Sequence, residues 1–211
     1  MYGLLAAFKP CAEILEMPEP NFAPPAIRNG DFIMTQTPAI MAHLGELFSM
    51  VPKAAAERAQ AMQLALSVAD ALNECRAPFH PKFSSKSYSI QKDEAVVAVK
   101  KFCEPGTRFD HWICHFAHFI NHRRAKCGKA DGFLFGKGKK ISFADISLYY
   151  MIEAMQQQYA DGTPFPYWSD PSRAGTVKVL ESFLATCRTV DNLRKYVESD
   201  RRKPWAGDSC M

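Results

Sequence analysis

Between residues 54 and 199 the apolar positions recur every three or four residues, in blocks separated by proline, glycine and charged clusters. Ala61, Met62, Leu64, Ala65, Val68, Ala69 and Leu72 predict a long helix over 54–77, stopped by Pro78. A second helix is expected over 90–102, closed by Pro105-Gly106, after a loop of Pro, Ser, Lys and aromatic residues. Trp112, Ile113, Phe116, Phe119 and Ile120 make the apolar stripe of an amphipathic helix over 108–126. A Gly/Lys loop around Phe133-Leu134-Phe135-Gly136 leads to a helix over 141–158. A loop carrying Pro164, Pro166 and Pro171 then precedes helices over 176–186 and 190–199. The chain from residue 54 to 211 is thus expected to be all-helical.

The pattern before residue 49 is different. Ala26 to Arg28 is a short extended run after Pro24 and Pro25, and Phe32-Ile33-Met34 is its return. Asn29-Gly30-Asp31 joins them, Asn and Gly being the residues that accept the positive φ of a two-residue hairpin. Thr37 is expected to cap the next helix with Pro38 at its first position, and Ile40, Met41, Leu44 and Leu47 follow at helical spacing. Residues 3–15 read as one short helix interrupted at Pro10, and Pro18 and Pro20 end it. The boundaries expected are a first part over 1–48, a linker over 49–53 around Pro52, and a helical part over 54–211.

Three local patterns stand out. Ser142 followed three residues later by Asp145 is a capping box with Asp in place of Glu, flanked by Ile141 and Ile146 as a hydrophobic staple. Its role is structural. Gln36 and Thr37, at the start of a helix entered from a hairpin, offer a free amide and unpaired backbone N–H groups to a carboxylate. His111, His115, His118 and His122 fall on one helical stripe, and pairs at that spacing can chelate zinc. The stripe is turned away from the apolar face and has no intervening Glu, so it is read as a solvated face, with no metal site. Tyr149, Tyr150, Phe165, Tyr167 and Trp168 are read as packing residues before they are read as the lining of a substrate site.

Composition narrows the class. A net charge of +4 on 211 residues, with scattered basic clusters at Lys137, Lys139, Lys140 and at Arg201, Arg202, Lys203, argues against a nucleic-acid surface. Seven cysteines, none in a Cys-x-x-Cys pair, fit a reducing compartment, and no apolar run is long enough for a membrane span. A cytoplasmic location is expected.

Pro-Pro-Ala-Ile, the Asn-Gly-Asp turn and Thr-Gln-Thr-Pro-Ala-Ile-Met-Ala-His-Leu-Gly together resemble the glutathione-binding segment of the glutathione S-transferase superfamily, closest to a branch with Phe-Ala-Pro-Pro before that strand. Phe-Leu-Phe-Gly and Ile-Ser-Phe-Ala-Asp-Ile-Ser-Leu resemble the signature of that family's core sixth helix. The resemblance implies an α/β thioredoxin-like N-terminal part, truncated, followed by the all-α glutathione transferase C-terminal domain. It implies that Pro25 is the cis-proline, that Pro24 and Pro25 align the glutathione backbone, and that Gln36 and Thr37 hold its γ-glutamyl group. Pro24 has no N–H to donate there. Only 24 residues precede Pro25, too few for the family's strand-helix-strand unit, so its first strand and helix are expected to be missing in their usual form. Tyr2 and Cys11 are the upstream candidates for activating the thiol, and neither sits in the family's context. The implied function is conjugation of glutathione, as co-substrate, to small hydrophobic electrophiles where an intact N-terminal domain exists. The alternative is a non-catalytic binding or scaffold protein of the same fold, and a homodimer is compatible with either. No other cofactor is implied.

Overall fold

A computed structural model of the chain describes the backbone of residues 3–5 together with residues 25–160 and 166–202. Among these, three strands form one sheet in chain order: β1 Gly3–Leu5, β2 Ala26–Asn29 and β3 Phe32–Thr35. Both pairings are antiparallel, with Leu4 opposite Ile27 and Ile27 opposite Met34. The helix expected over 3–15 is therefore wrong at its start, where a three-residue strand stands instead. The open side of β2 carries unpaired backbone N–H and C=O groups, and Gly3–Leu5 takes them up as ladder partners. Residues 6–15 of that expectation lie outside the described residues.

The β2–β3 connection is the two-residue hairpin expected. Asn29 pairs with Phe32, leaving Gly30 and Asp31 as the two loop residues, and of the Asn29-Gly30-Asp31 turn only Gly30 has positive φ, at 61°. This is the glycine-first hairpin geometry, and Asn29 stays in the strand.

Among the described residues seven α-helices follow: α1 Thr37–Leu47, α2 Ala55–Arg76, α3 Lys92–Phe102, α4 Arg108–Cys127, α5 Phe143–Gln158, α6 Ala174–Arg188 and α7 Asp191–Val197. Their ends differ from the periodicity by a few residues. Tyr88–Ile90 is a separate 3-10 turn started by Ser87, whose hydroxyl accepts the Ser89 N–H at 3.3 Å, so α3 starts only at Lys92. Gly128, at φ 66°, ends α4 in the left-handed conformation that costs a glycine least.

α5 is the centre of the helical body. Ala144, Leu148, Met151, Ile152 and Met155 are completely enclosed, on more than one face, and α1, α2 and α6 all pack against it. Gly45 of α1 allows the closest approach. A Cβ there would stand 3.0 Å from the Phe143 ring. The joint is tied further by the Phe143 N–H, which donates to the Met50 carbonyl at 3.0 Å. The sheet and α1 are seated in this way on the start of α5.

Candidate functional site

The register that pairs Ala26 with Thr35 sets Pro25 and Gln36 at the same end of the β2–β3 hairpin, where the chain turns into α1. The first helical hydrogen bond runs from the Ile40 N–H to the Gln36 carbonyl at 2.9 Å, so Gln36 is the cap residue. Thr37 is the first residue inside the helix and Pro38 the second, one place later than expected. Pro38 is tolerated there because the first N–H groups of a helix have no internal partner to lose.

Gln36 adopts φ 72° and ψ 107°, far from the ordinary basins of a residue with a side chain. Such a conformation costs on the order of 1–3 kcal/mol. Its side chain does not cap the helix, is exposed, and has no hydrogen-bond partner among the described residues. Thr37 and Pro25 are exposed as well. The arrangement presents an amide, a hydroxyl and free backbone N–H groups at the positive end of α1, a set that suits a carboxylate. Pro24, Tyr2 and Cys11 lie outside the described residues.

The capping box forms as expected. The Ser142 hydroxyl accepts the Asp145 N–H at 3.3 Å, and Asp145 accepts the Ser142 N–H at 2.8 Å and its hydroxyl at 2.5 Å. The second carboxylate oxygen accepts the Leu134 N–H at 2.9 Å, which binds the Phe-Leu-Phe-Gly loop to α5. Complete burial pushes the Asp145 carboxyl above the usual range, and the hydrogen bonds from Ser142 and Leu134 pull it part of the way back.

The four histidines on α4 are exposed, as the stripe requires. His118 and His122 stack at 6.5 Å between ring centroids. Burial, then the neighbouring His118, hold His115 below the ordinary imidazole range. Among the described residues no group of three or more His, Cys, Asp or Glu side chains converges as a metal site would need. Tyr149 and Trp168 are buried in the helical body, whereas Tyr150 is exposed, and Phe165 lies outside the described residues.

Several buried charges were not expected from the sequence. Arg123 donates to the Leu134 carbonyl at 2.8 Å, to Gln60 at 2.9 Å and to Glu57 at 3.0 Å, with its guanidinium 4.5 Å from the Phe135 ring. Arg124 donates to the Gly132 carbonyl, Ser182 and Thr186. Arg173 reaches Asp110 at 2.5 Å and the Cys103 carbonyl at 2.6 Å. Glu153 accepts from Tyr149, Arg188 and Arg202. For Arg123 and Arg124 a signal existed: they continue the 113, 116, 120 stripe at the same three-and-four spacing.

A small antiparallel sheet leading through a helix into an all-helical body built on a buried central helix is similar to the fold of the glutathione S-transferases, a thioredoxin-like part followed by an all-α domain. The likeness extends to a Pi-class glutathione S-transferase of Onchocerca volvulus, with TM-score 0.58, 18% identity, and coverage of 83% of this chain and 69% of that one. A Nu-class glutathione S-transferase of Haemonchus contortus aligns with TM-score 0.56 and 19% identity over 93% of this chain and 80% of its own. The monomeric Na-GST-3 of the hookworm Necator americanus aligns with TM-score 0.55 and 17% identity, over 89% and 78%. No protein-family model matches the chain, and no characterised sequence does. Among the described residues no helix is long and apolar enough to cross a membrane.

Proposed function

We propose that this chain binds glutathione through the hairpin end at Pro25 and the start of α1, with Gln36 and Thr37 holding the γ-glutamyl carboxylate and Pro24 and Pro25 lying along the peptide. The reading extends to a cytoplasmic glutathione transferase that conjugates the tripeptide to small hydrophobic electrophiles, with 1–48 as the glutathione-binding part and 54–211 as the helical part. The single observation that supports it most is Gln36. An exposed side chain free of any structural task, carried on a backbone conformation that costs stability, is what a residue kept for a ligand looks like.

The test is retention on immobilised glutathione, followed by conjugation of glutathione to an aryl halide. Gln36→Ala should abolish retention while leaving the far-ultraviolet spectrum and unfolding midpoint unchanged, since the side chain supports nothing in the fold. Retention of the variant equal to that of the parent would remove Gln36 from the site. Retention without conjugation would leave the binding reading standing and end the transferase one.

A further inference from the structure

Away from the hairpin, a cleft of about 790 Å³ opens between the end of α1, the linker, the first turn of α2 and the 135–142 segment. We propose that this cleft is a second ligand site, for a phosphate monoester carried on an apolar body. The inference is independent of the glutathione reading.

Its floor is apolar: Pro52, Phe135 and Ile141 are buried there, with Met50 and Val51 half-buried beside them. Its rim is cationic, with Lys53, Arg58, Lys137 and Lys140 against Glu46 and Glu57. Glu57 is already paired with the buried Arg123 at 3.0 Å, so its charge does not oppose an incoming anion. Lys140 donates to the Ser49 carbonyl at 2.8 Å, which pins that ammonium across the mouth of the cleft. Arg58 bonds the Lys53 carbonyl at 2.5 Å and the Pro52 carbonyl at 3.3 Å through one nitrogen, and keeps the N–H groups of its other two. The ammonium groups of Lys53 and Lys137 have no hydrogen-bond or ion-pair partner among the described residues. Glu46 is the one rim acid not spent on a cation.

Lys137 carries the second observation. It stands at φ 61° between Gly136 at 59° and Gly138 at 65°, three successive residues in the left-handed region. Glycine takes that conformation without a Cβ penalty, and a lysine does not. The position holds a cation at a conformational cost, on the rim of a cleft where three other cations gather. The volume lies in the range of small-ligand pockets, and cations around an apolar floor select a ligand with an anionic head and an apolar body. A phosphate monoester, near two negative charges at neutral pH, uses several cations together where a single carboxylate would use one.

The test uses the whole chain, titrated calorimetrically with octyl phosphate, inorganic phosphate and octanol. Octyl phosphate should bind with saturation, more tightly than either of the other two, and weaken as salt rises. Lys53→Ala combined with Lys137→Gly should reduce its affinity about tenfold, the effect of two partly exposed charges. Lys137→Gly alone should raise the unfolding midpoint, since glycine relieves the left-handed strain, so a folding defect cannot imitate the loss. Equal affinity of the parent and the double variant for octyl phosphate would overturn the proposal, as would octanol binding as tightly as the ester. Binding to phosphatidic acid vesicles without binding of the soluble ester would overturn it too, by assigning the cations to a membrane surface.

Discussion

Asp145 is where one side chain holds the most backbone. It is fully buried and accepts three hydrogen bonds: the Ser142 N–H and hydroxyl on one oxygen, the Leu134 N–H on the other. Asp145→Ala leaves two buried backbone donors unpaired, at about 1–3 kcal/mol each. A loss of about 3 kcal/mol is the central expectation, a large share of the roughly 5–15 kcal/mol that keeps a domain folded. For a chain of this size it corresponds to a fall of about 6–12 °C in unfolding midpoint. Ser142→Ala removes the hydroxyl that caps the Asp145 N–H and donates to its carboxylate but keeps the bonds of Asp145 to the Ser142 and Leu134 N–H groups, a loss of about 1 kcal/mol or about 2–4 °C. Calorimetric scans of both variants and of the double variant measure the difference. The double variant should be less destabilised than the sum of the singles, because they share one network. If Asp145→Ala cost no more than Ser142→Ala, the Leu134 bond would carry no stability and the argument from unpaired donors would fail. Asp145→Asn tests the charge separately. Burial holds the folded-state carboxyl above its unfolded value, so this group's contribution is present below the unfolded value and is lost as pH rises through the raised folded one. The asparagine variant should lack that component of the pH profile.

Other sites give independent checks. Arg173→Met breaks a buried pair with Asp110 and strands the Cys103 and Tyr167 carbonyls, and urea unfolding should show a loss of about 3–5 kcal/mol; a loss below about 1 kcal/mol would mean that the pair is solvated. Gly45→Val drives a side chain into Phe143, and thermal unfolding should register an overpacking cost of about 1–3 kcal/mol despite the loss of a helix glycine. The Arg108 guanidinium, then the Trp112 N–H, hold the Glu74 carboxyl below its usual range against the opposing effect of burial. A depressed carboxyl contributes stability above its unfolded value that is lost as pH falls, so Arg108→Ala should flatten the decline in stability below about pH 4.3. A decline equally steep in the variant would remove the pair from the acid response.

What the sequence made legible was local. Helix positions from 54 onward follow from apolar spacing, and α2 and α4 start and end within about a residue of it because proline and glycine breaks bracket them. The capping box was legible because Ser142 and Asp145 satisfy each other within a single turn. What escaped depends on partners distant in the chain. Gly3–Leu5 is a strand because Ala26–Asn29 lies beside it, and nothing in Gly-Leu-Leu itself separates strand from helix. The Leu134 bond to Asp145, the placement of Arg123 against Glu57, and Arg202 on Glu153 all join residues that periodicity treats as unrelated. At the candidate site the residues were legible and the geometry was not: the cap fell on Gln36 rather than Thr37, and no propensity anticipates φ 72° on a glutamine.

The strain at Gln36 and the capping motif at Asp145 meet through α1. A residue held at φ 72° relaxes unless the elements on both sides are fixed. On one side the β2–β3 ladder fixes Thr35 against Ala26, and on the other α1 is held through Gly45 on Phe143 and Met50 on the Phe143 N–H. Phe143 is the first residue of the helix that Ser142 and Asp145 start. Loosening that start therefore releases the seat of α1 before it unfolds the helical body, since α2 and α6 still hold the centre of α5. Asp145→Ala should accordingly weaken retention on immobilised glutathione at temperatures where the helical signal is still intact, whereas Arg173→Met, whose contacts lie within the helical body, should lose both together. Equal loss of retention and helicity in the two variants would separate the Gln36 conformation from the start of α5 and leave the ladder alone to hold it.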